Sequence, residues 1–88
     1  MAEDKKFELF RRQLEEEYSW PSLYMFKFIV PKGKEGEVEK LFPRNELKIR
    51  ESNQGNYVSL TVQLMANSSD EIISIYTQAH GIEGLIAL

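Results

Sequence analysis

From Ser22 to Val30 the chain alternates without interruption: Tyr24, Phe26, Phe28 and Val30 share one face of an extended strand, and Leu23, Met25, Lys27 and Ile29 share the other. A strand with three aromatic rings on one face must set that face against a second layer, so it belongs inside a sheet that something covers. Trp20-Pro21 precedes it, where proline disfavours helix at Trp20, and Pro31-Lys32-Gly33-Lys34 breaks it. Tyr57 to Ala66 repeats the pattern, with Val58, Leu60, Val62 and Leu64 alternating against Ser59, Thr61 and Gln63. Asn45 to Ser52 does so more briefly through Leu47 and Ile49. Asn53-Gln54-Gly55-Asn56 between these two runs supplies residues that tolerate positive φ, which predicts an antiparallel hairpin.

Three segments carry the helical period instead. Phe7, Phe10, Leu14 and Tyr18 make an apolar stripe from Asp4 onward, ending in Glu15, Glu16 and Glu17. Gly36 to Phe42 is a short candidate, with Val38, Leu41 and Phe42 at helical spacing and Pro43 as the stop. Ser68-Ser69-Asp70-Glu71 fits a capping box ahead of Ile72, Ile75, Tyr76 and Ala79, and His80-Gly81 reads as the end of that helix with a left-handed glycine cap. Ile82 to Leu88 is expected to close the chain as a last strand.

Without its first helix the order is strand, helix, strand, strand, helix, strand, the ferredoxin-like α+β pattern. Right-handed crossovers then predict a four-stranded antiparallel sheet in the order 4-1-3-2 with two helices on one face. Residues 1–19 read as a helix and linker, and residues 20–88 as the ferredoxin-like domain. Tyr24, Phe26, Phe28, Val58, Leu60, Val62 and Leu64 are expected under the helices, with Met25, Lys27, Ile29, Ser59, Thr61, Gln63 and Met65 on the open face. Phe7, Phe10 and Leu14 are candidates to cover that open face.

Composition removes several functions. The 88 residues contain no cysteine and one histidine, His80, which leaves no thiolate chemistry and no cysteine zinc site, and gives a histidine metal cluster or a Ser/His/Asp triad little to work from. The formal charge of -3 argues against a dedicated nucleic-acid binder. Met1 to Lys6 is charged, without the apolar core of an export signal, and Tyr24 to Val30 falls far short of the about 20 residues a membrane span needs. A cytoplasmic protein away from membranes is expected.

Three stretches carry a family resemblance: Ser19-Trp20-Pro21-Ser22-Leu23-Tyr24-Met25-Phe26-Lys27-Phe28-Ile29-Val30-Pro31, Ser52-Asn53-Gln54-Gly55-Asn56-Tyr57-Val58-Ser59-Leu60-Thr61-Val62, and Ile82-Glu83-Gly84-Leu85-Ile86-Ala87-Leu88. Over Trp20 to Leu88 the chain resembles the YbeD-like family of small bacterial proteins, a domain of unknown function, in the form seen in Bacteroidetes. The resemblance implies a ferredoxin-like fold similar to the ACT regulatory domains that sense small molecules, and it brings no catalytic residues.

Other users of this architecture lack their chemistry here. Metal chaperones need paired cysteines. Acylphosphatases need an arginine in the loop after the first strand, whereas that loop is Pro31-Lys32-Gly33-Lys34 and the nearest arginine is Arg44. RNA-recognition sheets stack bases on aromatic residues, and Tyr57 alone does not make such a platform. Two segments are therefore candidate sites. Lys32, Gly33, Lys34 and Gly36 precede a short helix and suit an anion, although a solvated turn explains the same residues. Leu85, Ile86, Ala87 and Leu88 form an edge without charge or proline, which suits a partner or a homodimer, although the N-terminal segment could cover it. His80 is expected as a helix-end residue and Glu15 to Glu17 as a solvated helix end. The expected protein is a non-enzymatic regulatory or interaction domain without metal or cofactor, binding an unidentified protein partner or a small effector; the alternative is an ACT-like metabolite sensor, with an enzyme or an RNA binder behind it.

Overall fold

The computed structural model describes residues 2–88, with side chains of the first helix described from Phe7. The elements run α1 (Ala2–Glu17), β1 (Ser22–Pro31), α2 (Glu35–Glu39), β2 (Lys48–Glu51), β3 (Tyr57–Ala66), α3 (Ser69–Ala79) and β4 (Ile86–Ala87). The strands form one antiparallel sheet in the order β2-β3-β1-β4, which counted from the β4 edge is 4-1-3-2. The molecule is thus an α+β sandwich, helices on one side and bare sheet on the other. Among the described residues no helix is long and apolar enough to cross a membrane.

Alternation decides which residues the helices cover. β1 and β3 pair along their full ten residues, from Ser22 opposite Ala66 to Pro31 opposite Tyr57. Phe26, Phe28, Val30, Val58 and Leu60 are fully buried, and Phe42, Ile72, Ala79 and Ile82 close over them. Phe26 touches the rings of Phe28, Phe42 and Tyr76, so it is the centre of an aromatic cluster. Burial of this apolar area is the main stabilising term of so small a domain.

α3 starts as its sequence directs: the Ser68 side chain accepts a hydrogen bond from the Glu71 N–H. The Glu71 carboxylate meets the Asn67 side chain, so the reciprocal half of the capping box is absent. The left-handed glycine cap at Gly81 is also corrected. Gly81 has no positive φ, and the chain leaves α3 through tight turns, Gly81 N–H to the Gln78 carbonyl and Ile82 N–H to that of Ala79. α2 is shorter than its apolar spacing suggests; after Glu39 the chain continues in turns that still bury Phe42.

The largest correction concerns α1. It does not cover the open face. It lies along α3, with Phe10 edge-on to Tyr76, Phe7 stacked near His80 and Arg11 paired with Asp70. Leu14, 3% exposed, enters the common core. α3 and α2 each pack on β3, and Leu14, Val38 and Ile72 bring all three helices to one core. The physical reason is size: the short α2 covers only part of the sheet, and α1 completes the layer that the aromatic face requires.

β4 is the second correction. Ile82 to Leu85 turn rather than extend, with Leu85 N–H bonded to the Ile82 carbonyl, and only Ile86–Ala87 pair with β1. Gly84 has φ +80° and lies so close to Pro31 that a Cβ there would sit 2.6 Å from the proline ring. This close approach fixes where the strand begins.

Candidate functional site: the open sheet face

The register sets the open face out in rows. Leu23 stands opposite Met65, and Met25 opposite Gln63. Next comes a polar row, Lys48, Thr61 and Lys27 on three neighbouring strands, and then Arg50, Ser59, Ile29 and Ile86 on all four. Tyr57 lies beyond, opposite Pro31. Leu23, Met25, Met65, Tyr57 and Ile86 are each about half exposed and gather large apolar side chains on one side of the domain.

Lys27, Lys48 and Arg50 are exposed, and among the described residues none makes an ion pair; the four pairs are Arg11–Asp70, Arg12–Glu8, Lys32–Glu51 and Lys34–Glu37. A chain of formal charge -3 therefore carries three uncompensated cations on one face. At the Tyr57 end, Ile29, Ile86, Tyr57, Ser59, Ser52, Arg50 and Glu51 line a depression of about 400 Å³. The Ser59 hydroxyl donates to the Arg50 carbonyl at 3.5 Å.

The loop at Lys32, Gly33, Lys34 and Gly36 is built differently. The Lys32 ammonium pairs with Glu51 at 3.0 Å, and the Lys34 ammonium with Glu37 at 3.3 Å. The Gly33 N–H, at φ +105°, donates to the Glu35 carboxylate. Hydrogen bonding to Glu51 holds the Lys32 ammonium above its ordinary pKa, and backbone donors, its own and that of Gly33, hold the Glu35 carboxyl below its own. The loop already supplies carboxylates to the donors that an anion would use. Gly36 is the second residue of the five-residue α2, its carbonyl accepting from the Lys40 N–H.

Leu85 and Ala87 pack against the core, while Ile86 and Leu88 are exposed, so the four residues of the closing segment do not share one surface. Ile86 belongs to the open face and joins the depression. His80 caps α3, and Glu15 accepts a hydrogen bond from the Trp20 indole at 3.1 Å. Among the described residues no group of three or more His, Cys, Asp or Glu side chains could hold a metal ion. The Tyr76 hydroxyl, 3.1 Å from that of Tyr24, is pushed well above its ordinary pKa by burial.

The pairing of Arg50 with the open-face residues was missed in the sequence, although the hairpin register that places Arg50 opposite Ser59 contains it.

Fold and surface define a class: a small α+β domain with a closed helix layer and an exposed, cationic and apolar sheet face. A family described as "Protein of unknown function (DUF493)" matches residues 15–87, and the chain belongs to that family. No curated protein and no solved structure matches it.

Proposed function

We propose that this domain is a non-enzymatic regulatory module that docks the acidic surface of a partner protein on its open sheet face. The observation that carries the reading is the position of α1: it completes the helix layer and leaves Lys27, Lys48 and Arg50 bare among Leu23, Met25, Met65 and Ile86. Like charges on a face of exposed apolar residues favour a partner whose carboxylates offset them and whose apolar groups cover the rest. The arrangement of four strands and the helices of the layer supports a ferredoxin-like ancestry. The three stretches quoted above support a YbeD-like member of the Bacteroidetes type, and a chain without cysteine suits the cytoplasm.

The test is affinity capture from an extract of the source cells, comparing the natural chain with the variant carrying Lys27→Glu, Lys48→Glu and Arg50→Glu. Loss of one acidic protein at unchanged melting temperature supports the reading, and undiminished capture of every partner sinks it.

A second reading, an ACT-like sensor of a small effector, is favoured by the depression beside Arg50, whose volume suits a small ligand. It requires ligand-dependent stabilisation, about 2.7 kcal/mol at a hundredfold excess over the dissociation constant. Thermal shift against a panel of small anionic metabolites separates the two readings.

A further inference from the structure

β1 has ten residues, and β4 pairs with only Phe28 and Ile29 of them. Two hydrogen bonds show what the remaining length offers. The Lys32 N–H donates to the Asn56 carbonyl at 3.0 Å, so the even-numbered residues of this strand aim their backbone groups at β3. The Leu88 N–H donates to the Lys27 carbonyl at 2.9 Å, so the odd-numbered residues aim theirs at the β4 side. Leu23 and Met25 thus turn two N–H and two C=O groups outward, and among the described residues no hydrogen bond reaches them. Their side chains are 51% and 57% exposed.

Sheet edges are commonly blunted by charge, proline or a bulge. The opposite edge is, by Lys48, Arg50 and Glu51. Ser22 to Phe26 contains no charge, and its only nearby proline, Pro21, stands before the strand. An uncharged run with paired donors and acceptors in strand register is complementary to one thing, another strand.

We propose that Ser22 to Phe26 takes an extended segment of a partner as a fifth strand, antiparallel to β1 and in line with β4. The segment is about five residues long, matching the free length, and apolar at alternate positions. Residues opposite Leu23 and Met25 cover those side chains on the open face. The residue opposite Tyr24 turns into the helix layer, toward the Tyr18 and Tyr24 rings, whose centroids are 5.7 Å apart. Antiparallel direction brings the C-terminal end of the segment to the start of β1. There Trp20 is bonded to Glu15, and Glu16 and Glu17 stand exposed and without an ion pair among the described residues. Lysine or arginine is therefore expected to follow the strand. Leu23 and Met25 also belong to the open face, but the added strand is held by their backbone groups and not by Lys27, Lys48 or Arg50, so backbone methylation of the peptide and the charge-reversal variant test the two readings separately.

The first arm of the test is amide hydrogen exchange on the full chain. Leu23 and Met25 are expected to exchange roughly 100-fold faster than Tyr24 and Phe26, whose N–H groups bond to β3. Equal protection of all four would mean that the edge is already covered, and would overturn the proposal. The second arm titrates the ¹⁵N-labelled chain with a synthetic peptide of three valines alternating with two threonines, followed by three lysines. The expected result is slowed exchange at Leu23 and Met25, binding that weakens several-fold in high salt, and loss of binding when alternate peptide nitrogens are methylated. Binding that survives methylation, or maps to β2, or is absent at millimolar peptide, would overturn it. Met25→Pro removes an outward N–H without touching the β3 ladder and is expected to abolish binding at an unchanged melting temperature. Should that variant unfold, the methylated peptide still decides. Light scattering that shows a dimer broken by the same variant would assign the edge to a second copy and overturn the partner segment.

Discussion

The two faces of β1 and β3 are made from alternate residues of the same two strands, and they differ in almost everything else. On one face Phe26, Phe28, Val58 and Leu60 are sealed beneath a layer completed by α1. On the other, Leu23, Met25, Met65 and Ile86 stand in solvent beside three cations, Lys27, Lys48 and Arg50, that make no ion pair among the described residues. A side chain's exposure is set here by parity along the strand rather than by hydrophobicity, since Met25 and Phe26 are neighbours in the chain. What the bare face costs in solubility is offset by its cations, and the apolar residues that remain there call for an explanation outside the fold.

That contrast breaks most sharply at its centre. Phe26→Ala, inside the aromatic cluster, is expected to lower stability by about 3–5 kcal/mol, read from urea unfolding. Leu14→Ala tests whether α1 belongs to the sealed side: a loss of about 2–4 kcal/mol is expected, and a loss near zero would detach the helix from the core. Gly84→Ala forces a Cβ against Pro31 at φ +80° and is expected to cost about 1–3 kcal/mol, with the largest amide shifts along β4.

A titration sharpens the comparison. Burial holds the Tyr76 hydroxyl protonated in the fold, so above the ordinary tyrosine value of 10.0 the unfolded chain loses its proton first. Stability is complete below that pH and falls as pH rises past it. Urea midpoints measured on either side of it should show the decline, and Tyr76→Phe should flatten it. The smallest effect belongs to the open face: Met25→Ala is expected to change stability by no more than about 0.5 kcal/mol. A larger loss would show that the face is not free.

Much of the architecture was legible because its signals are local. The alternation of Tyr24, Phe26 and Phe28 against Leu23, Met25 and Lys27 names the sheet and both of its faces, and Ser68 with Glu71 marks the start of α3. The Gly81 cap, the second half of the capping box and the length of α2 differ from expectation within a turn or two of chain, whereas the larger differences depend on contacts between distant segments. The stripe of Phe7, Phe10 and Leu14 says that α1 packs, and only the limited reach of α2 decides that it packs beside α3. Ile82 to Leu88 has strand-like composition throughout, and Gly84 pressed on Pro31 confines the strand to two residues. In the candidate anion loop, Glu35 and Glu37 are near in sequence to the Gly33 and Lys34 groups they occupy, and only Glu51 is distant, reaching Lys32 once the β2–β3 hairpin has formed.

The chain's single tryptophan stands at the joint between α1 and the sheet, stacked on Tyr18 at 5.6 Å and hydrogen-bonded to Glu15. Among the described residues its hydrogen bond and its ring stacking both run to the end of the first helix, while its ring edges the common core. Its emission is therefore a built-in optical gauge of whether that helix is seated, readable without a label and separable from unfolding of the tyrosine-lined interior.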